Sequence, residues 1–202
     1  MSPTALGQAT GSGRFRTGWL HLNSMESQQL FPGVDLRQLV MHPDQRGVFT
    51  EVFRREWGVG LDPVQWNVVR SEPGVLRGVH VHLRHADYLL VVEGLATIGL
   101  RDLRQGSPTQ GRALTLDLDG KTMVALTIPV GVAHGFLFHS PSIHVYAVSH
   151  YWDPDDEFGC HWGDPELEID WPFTPSIVSA RDAAAGSLSD LLARLAPFQP
   201  IG

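Results

Sequence analysis

From Leu30 to Pro172 the chain alternates short apolar runs with turn residues, among them Pro32-Gly33, Asp44-Gln45-Arg46-Gly47, Pro73-Gly74, Asp119-Gly120 and Pro129-Val130-Gly131. That rhythm predicts an antiparallel β architecture. Leu114, Leu116 and Leu118 alternate with Thr115, Asp117 and Asp119, the pattern of a strand buried on one face only. Ile143 to Ser149 predicts another strand, with Ile143, Val145 and Ala147 on one face and His144, Tyr146 and Val148 on the other. Such strands line barrels, where one face looks into an interior pocket. A helix is expected only near the C-terminus. There Ser187 opens a capping pattern with Asp190, and Leu188, Leu191, Leu192 and Leu195 form one apolar stripe. Residues 1–26, rich in Gly, Ser and Thr without a hydrophobic period, read as a mostly disordered extension. Residues 27–202 read as a single domain, without internal repeat or linker.

Composition narrows the range of partners. A formal charge of −7 and a pI near 5.7 argue against nucleic acid and against an anionic membrane surface. An anionic ligand would have to be met by a few local arginines. Cys160, the single cysteine, has no intrachain partner, which fits a reducing cytoplasm. No apolar run approaches a membrane-spanning length, and the first twenty residues lack the apolar core of a signal peptide. The expectation is a cytoplasmic protein without nucleic-acid or membrane partners.

The densest chemistry lies between Gly74 and Gly94, GVLRGVHVHLRHADYLLVVEG. Residues two apart on a strand share a face, so His80 and His82 can both point into a barrel. A glycine, five residues, His80-x-His82, four residues, Asp87, six residues and Gly94 together resemble the first metal motif of the cupins. His134, in Pro129-x-Gly131-x-x-His134, resembles the histidine of their second motif, which here lacks its earlier glycine and later asparagine. Three histidines and a carboxylate form a donor set that suits Zn, Mn, Fe or Ni. The candidate metal ligands are therefore His80, His82, Asp87 and His134.

A second resemblance covers the same segment and extends well beyond it. Gly74-Val75-Leu76-Arg77-Gly78-Val79-His80 resembles the GVLRGLH of the dTDP-4-dehydrorhamnose 3,5-epimerases. Asp44 to Glu51 resembles their DxRGxFxE, Gln65-Trp66-Asn67 their QxN, Ile128 to Phe136 their IPxGxAHGF, and Val178 to Asp182 their LSxKD. These matches run in family order over roughly residues 30 to 185. The resemblance implies an all-β, cupin-type jelly roll (double-stranded β-helix) with a short C-terminal helix, usually dimeric. It also implies an isomerase that epimerises a nucleotide-linked 4-keto-6-deoxy sugar and requires no cofactor.

Inverting a centre next to a ketone removes an α-proton on one face and returns one on the other, while the enolate between them is stabilised. By resemblance, His80 is the base, Asp182 orients its ring, and Tyr146 is the acid across the sugar. Arg46, Glu51, Gln65, Asn67, Arg77 and His134 are carried over as substrate-binding positions, the arginines suiting diphosphate oxygens.

The chain also departs from the family pattern. Asp87 stands where the epimerases carry a lysine that stabilises the enolate, and His82 is a further departure. A divalent metal could replace that lysine as a Lewis acid, but a ligated His80 could not also be the free base. Two rival readings stay open: a metal-dependent cupin enzyme acting on another small molecule, and a non-catalytic binder of sugar nucleotides.

Overall fold

The computed structural model describes residues 13–16 and 27–198. The expectation of a disordered extension over residues 1–26 falls mostly outside these. Within that stretch, strand β1 (Gly13–Arg16) runs parallel to β10 (Ala113–Asp119).

Two sheets face each other. One has the order β1-β10-β9-β12-β7-β14, with β9 Leu95–Asp102, β12 Val132–Phe138, β7 Val75–Val81 and β14 Phe158–Gly159; β15 (Ile177–Val178) also pairs with β7. The other has the order β2-β3-β11-β8-β13-β6, formed by Ser27–Phe31, Val34–Gln38, Val124–Ile128, Asp87–Glu93, Ser142–Val148 and Gln65–Ser71. A separate hairpin joins β4 (Met41–Asp44) to β5 (Gly47–Thr50). The architecture is the jelly roll that the sequence pattern and the resemblance led us to expect.

The main core lies between the sheets. Leu36, Leu89, Val91 and Leu126 of one sheet meet Ile98, Leu100, Leu116 and Phe138 of the other, all essentially out of solvent. Burying each such side chain contributes on the order of 1.5–3 kcal/mol.

The outer faces are covered as well. On β8, Tyr88 and Leu90 point away from the core into a second cluster with Leu39, Val59 and Ala125. On β7, Val79 and Val81 pack outward against Cys160, Leu167 and the helix α2 (Leu188–Leu195). This second layer corrects the expectation of a half-buried β10, because Thr115 and Asp117 are buried too. Asp117 is tolerated there because the Thr97 hydroxyl donates to its carboxylate at 2.6 Å.

The predicted C-terminal helix is present, with the reciprocal Ser187–Asp190 capping box. Leu188, Leu191 and Leu195 are buried, whereas Leu192 is 40% exposed, at the flank of the stripe.

One irregularity sets the phase of the functional strand. Gly78 has φ +116, a conformation open to glycine, and a Cβ there would lie 2.8 Å from the Gly135 Cα. The β7–β12 register shifts at this point, between the His134–His80 and Phe136–Arg77 pairs. An extra residue in one strand reverses its facing order. As a result Val75 and Arg77 line the same interior cavity as His80 and His82, although an odd number of positions separates the two pairs.

Candidate active site

A cavity of about 590 Å³ opens between the sheets, within the range of small-molecule sites. Strand β7 contributes Arg77 and His80, followed by His82 and His85 in the turn after it. Asp87 and Leu89 come from β8, His134 and Phe136 from β12, and His144 and Tyr146 from β13. The segment leading into the short helix α1 (Ala180–Ala183) closes one side with Ser179, Arg181 and Asp182.

At the mouth, His80 Nε2 lies 2.8 Å from Asp182 Oδ1. Asp182 is held there because Ser179 caps α1 by accepting the Asp182 N–H, and because the Gly78 N–H donates to the other carboxylate oxygen at 3.4 Å. Burial works to raise the Asp182 pKa, but the hydrogen bond and charge of His80 outweigh it and hold the carboxyl below the usual range. The same Nε2 is met at 2.6 Å by Arg181 Nη2. A proton on Nε2 serves the carboxylate, and a lone pair there serves the guanidinium. With the proton on Nε2, Nδ1 becomes the basic nitrogen; it lies 3.9 Å from Glu157 Oε2.

Tyr146 faces the same cavity, its ring stacked on His144 at 5.9 Å. Burial, then the charges of Asp87 and Glu157, raise its pKa, so the phenol keeps its proton and can donate it. Arg77 is fixed by donating to Ser71 Oγ at 3.0 Å.

Deeper in, two groups of side chains are spaced to hold a divalent cation. They are His82, His85 and Asp156, and His82, Asp87 and His134; within each, one donor atom per residue lies within 4.8 Å of the others. Burial pushes His82 and His85 down to about 4, and His134 well below the ordinary imidazole value. It pushes Asp87 well above the usual carboxylate range, helped by the charges of Glu157 and Asp156.

His82, Asp87 and His134 thus come together as the spacing predicted, but His80 belongs to neither group. That corrects the four-ligand set: Asp182 and Arg181 occupy its Nε2. His85 and Asp156 complete the deeper groups, and neither was singled out by sequence. Glu157 was missed as well. It lies 3.5 Å from His82 Nδ1, accepts from Trp152 Nε1 at 3.1 Å and pairs with Arg181 at 3.3 Å.

Four of the expected substrate-binding residues lie outside this chain's own cavity. Arg46 is 84% exposed on the β4–β5 hairpin, paired with Asp44. Glu51 follows the hairpin and pairs with Arg54. Gln65 donates to Asn67 at 3.0 Å on β6 and accepts from the Trp152 N–H.

Comparison with known proteins agrees with this arrangement. The family model for dTDP-4-dehydrorhamnose 3,5-epimerase matches residues 28–190. The dTDP-4-dehydrorhamnose 3,5-epimerase of Pseudomonas aeruginosa is 36% identical over 171 residues, 79% of this chain and 93% of that protein. The solved epimerase of Mycobacterium tuberculosis superposes with a TM-score of 0.79 at 34% identity, covering 87% of this chain and 94% of that one. A Legionella pneumophila dTDP-6-deoxy-D-glucose-3,5-epimerase, solved with dTDP-4-keto-L-rhamnose, gives 0.78 at 32% identity, covering 85% and 96%. The chain belongs to the dTDP-4-dehydrorhamnose 3,5-epimerase family.

Proposed function

We propose that this enzyme is an isomerase of a nucleotide-linked 4-keto-6-deoxy sugar and that His80, oriented by Asp182, removes the proton next to the ketone while Tyr146 returns one from the other side. The observation that carries this reading is the 2.8 Å His80–Asp182 contact beside Tyr146 in one cavity. A buried carboxylate behind an imidazole selects its tautomer and fixes the orientation of its ring. A protonated tyrosine opposite supplies the acid. Arg77 is a cation for substrate oxygens, and His134 lies deeper in the same cavity.

Arg46, Glu51, Gln65 and Asn67 bind substrate in this reading, and a homodimer gives the hairpin residues a way to do so. From outside their own cavity, Arg46 and Glu51 would reach a sugar nucleotide across an interface with a second copy. Support comes from the apolar surface around them: Val48 and Phe49 on the hairpin are 55% and 64% exposed, and Trp66 and Val68 on β6 are 42% and 67% exposed.

The reaction needs no cofactor as the family performs it, and the histidine–carboxylate donors suit Zn, Mn, Fe or Ni. A cytoplasmic setting is in keeping with the lone, buried Cys160; among the described residues no helix is long and apolar enough to cross a membrane.

The test is to supply a panel of dTDP-linked 4-keto-6-deoxy sugars and follow configuration at the carbons flanking the ketone by proton NMR. Inversion at one or both carbons is expected. Recovery of every sugar unchanged, with divalent metals supplied, would overturn the reading in favour of a binder or a different enzyme.

A further inference from the structure

Deep in the cavity several hydrogen-bond acceptors face one another. His134 Nδ1 lies 3.1 Å from the Val132 carbonyl oxygen, and His82 Nδ1 lies 3.2 Å from that of Asp156. A carbonyl only accepts, so both rings carry their proton on Nδ1. His85 Nδ1 lies 3.3 Å from Asp156 Oδ2. That carboxylate already takes the N–H groups of Leu83 and Arg84 at 2.9 and 3.0 Å, and an Nδ1–H from His85 completes its set. In their neutral form the three imidazoles present bare Nε2 lone pairs.

What these lone pairs meet is another acceptor. His85 Nε2 and His134 Nε2 each lie 3.9 Å from the same oxygen, Asp87 Oδ2. His82, Asp87 and His134 have donor atoms within 4.8 Å of one another, and His82 also joins His85 and Asp156 in a second such group. Asp87 is 6% exposed, and among the described residues the contacts of its carboxylate are the two histidine Nε2 atoms at 3.9 Å. A proton on Asp87 would supply one donor for three lone pairs and would not span 3.9 Å as a hydrogen bond. A cation between them would satisfy these buried acceptors together. Ligand atoms at ~2.0–2.2 Å around a tetrahedral ion stand roughly 3.4 Å apart, so about half an ångström of closure brings the 3.9 Å pairs onto one ion.

The geometry points to a site for one divalent first-row transition ion, bound by His82, His85, Asp87 and His134, with Asp156 fixing the His85 ring from behind and His80 left outside. The backing of each Nδ1 by a carbonyl or carboxylate is the support that metal-bound histidines characteristically have. His80 has the opposite arrangement, its Nε2 engaged by Asp182, so binding the ion and keeping a free base are compatible. A bound ion would supply Lewis acidity in the cavity where Asp87 replaces the family lysine. The inference stands on the ring nitrogens and Asp87 alone and does not depend on which sugar is turned over.

The test strips the full-length protein with chelator, reconstitutes it with Zn²⁺ or Co²⁺, desalts it and measures metal per chain, with the visible spectrum of the Co²⁺ form as a second readout. One ion per chain is expected in the wild type and in His80→Ala, and less than a tenth of that in the near-isosteric Asp87→Asn. Zn²⁺ should raise the thermal midpoint of the wild type and leave that of Asp87→Asn unmoved. Should Asp87→Asn not fold, His82→Ala and His85→Ala should show the same loss. A wild type that retains no ion after reconstitution, ligand variants that retain it fully, or a His80→Ala protein that loses it as completely as they do would overturn the proposal, whatever the outcome with nucleotide sugars.

Discussion

Nε2 of His80 meets Oδ1 of Asp182 at 2.8 Å although 102 positions separate them in the chain. An amide at 182 would offer the ring an N–H donor or a weaker, uncharged acceptor, so Asp182→Asn removes the charge that orients the imidazole. We expect kcat/KM to fall by about 10²-fold or more, the scale of a positioned acid–base group, with dTDP affinity held within a few-fold. Isothermal calorimetry beside steady-state kinetics separates the two effects. An equal loss of binding would make Asp182 a structural residue.

That contact shows where sequence reading succeeds and where it stops. The period-2 pattern marked β13, and its inward residues His144, Tyr146 and Val148 do line the cavity. His80 stood out because glycines and apolar residues surround it in a recognisable segment. Asp182 could be named only through the family resemblance, since nothing local distinguishes it from a capping carboxylate on a short helix. His85 and Asp156 carried no signal: one sits in a polar turn, the other in a Pro-Asp-Asp turn that reads as solvated surface. Their role arises from the approach of residues 153–157 to the end of β7, a contact between segments some seventy positions apart. The half-buried reading of β10 failed for a related reason. Alternation reports which face is apolar, and it does not report that a later layer of chain covers the polar one.

In the proposed mechanism Tyr146 is the acid opposite His80. Removing its hydroxyl leaves the base untouched, so Tyr146→Phe should retain exchange of the first α-proton and lose most of the finished epimer, by about 10²-fold. Mass spectrometry of the sugar alongside NMR of its configuration reads both steps. Equal loss of both would remove Tyr146 from the acid role.

Arg46 is exposed on its hairpin and outside its own cavity. If it grips diphosphate in a second copy, Arg46→Ala should weaken dTDP binding at least tenfold. Mixed dimers of Arg46→Ala and His80→Ala chains should regain activity, because one of their two sites is intact. Unchanged affinity by calorimetry would remove Arg46 from the nucleotide site.

His144 lies between Phe138 and Tyr146, buried, with Nδ1 unpartnered among the described residues. Burial first, then the charge of Arg77, push its pKa down to about 4. A folded pKa below the unfolded value of about 6.5 means that the neutral ring contributes stability above that value and loses it as pH falls toward 4. His144→Phe should therefore lose less stability than the wild type between pH 7 and 4.5, by about 2–3 kcal/mol in denaturant titrations. Equal losses would contradict the assignment.

Solvent deuterium incorporation tests the central claim most directly. In D₂O the wild-type enzyme should place deuterium at a carbon next to the ketone of a dTDP-linked 4-keto-6-deoxy sugar, because the proton that His80 removes is lost to solvent and the carbon is reprotonated with a solvent-derived deuteron. His80→Ala should abolish this exchange while still binding dTDP. Exchange that persists undiminished in His80→Ala would show that another group abstracts the proton, and would contradict the account of His80 and Asp182 as the catalytic pair.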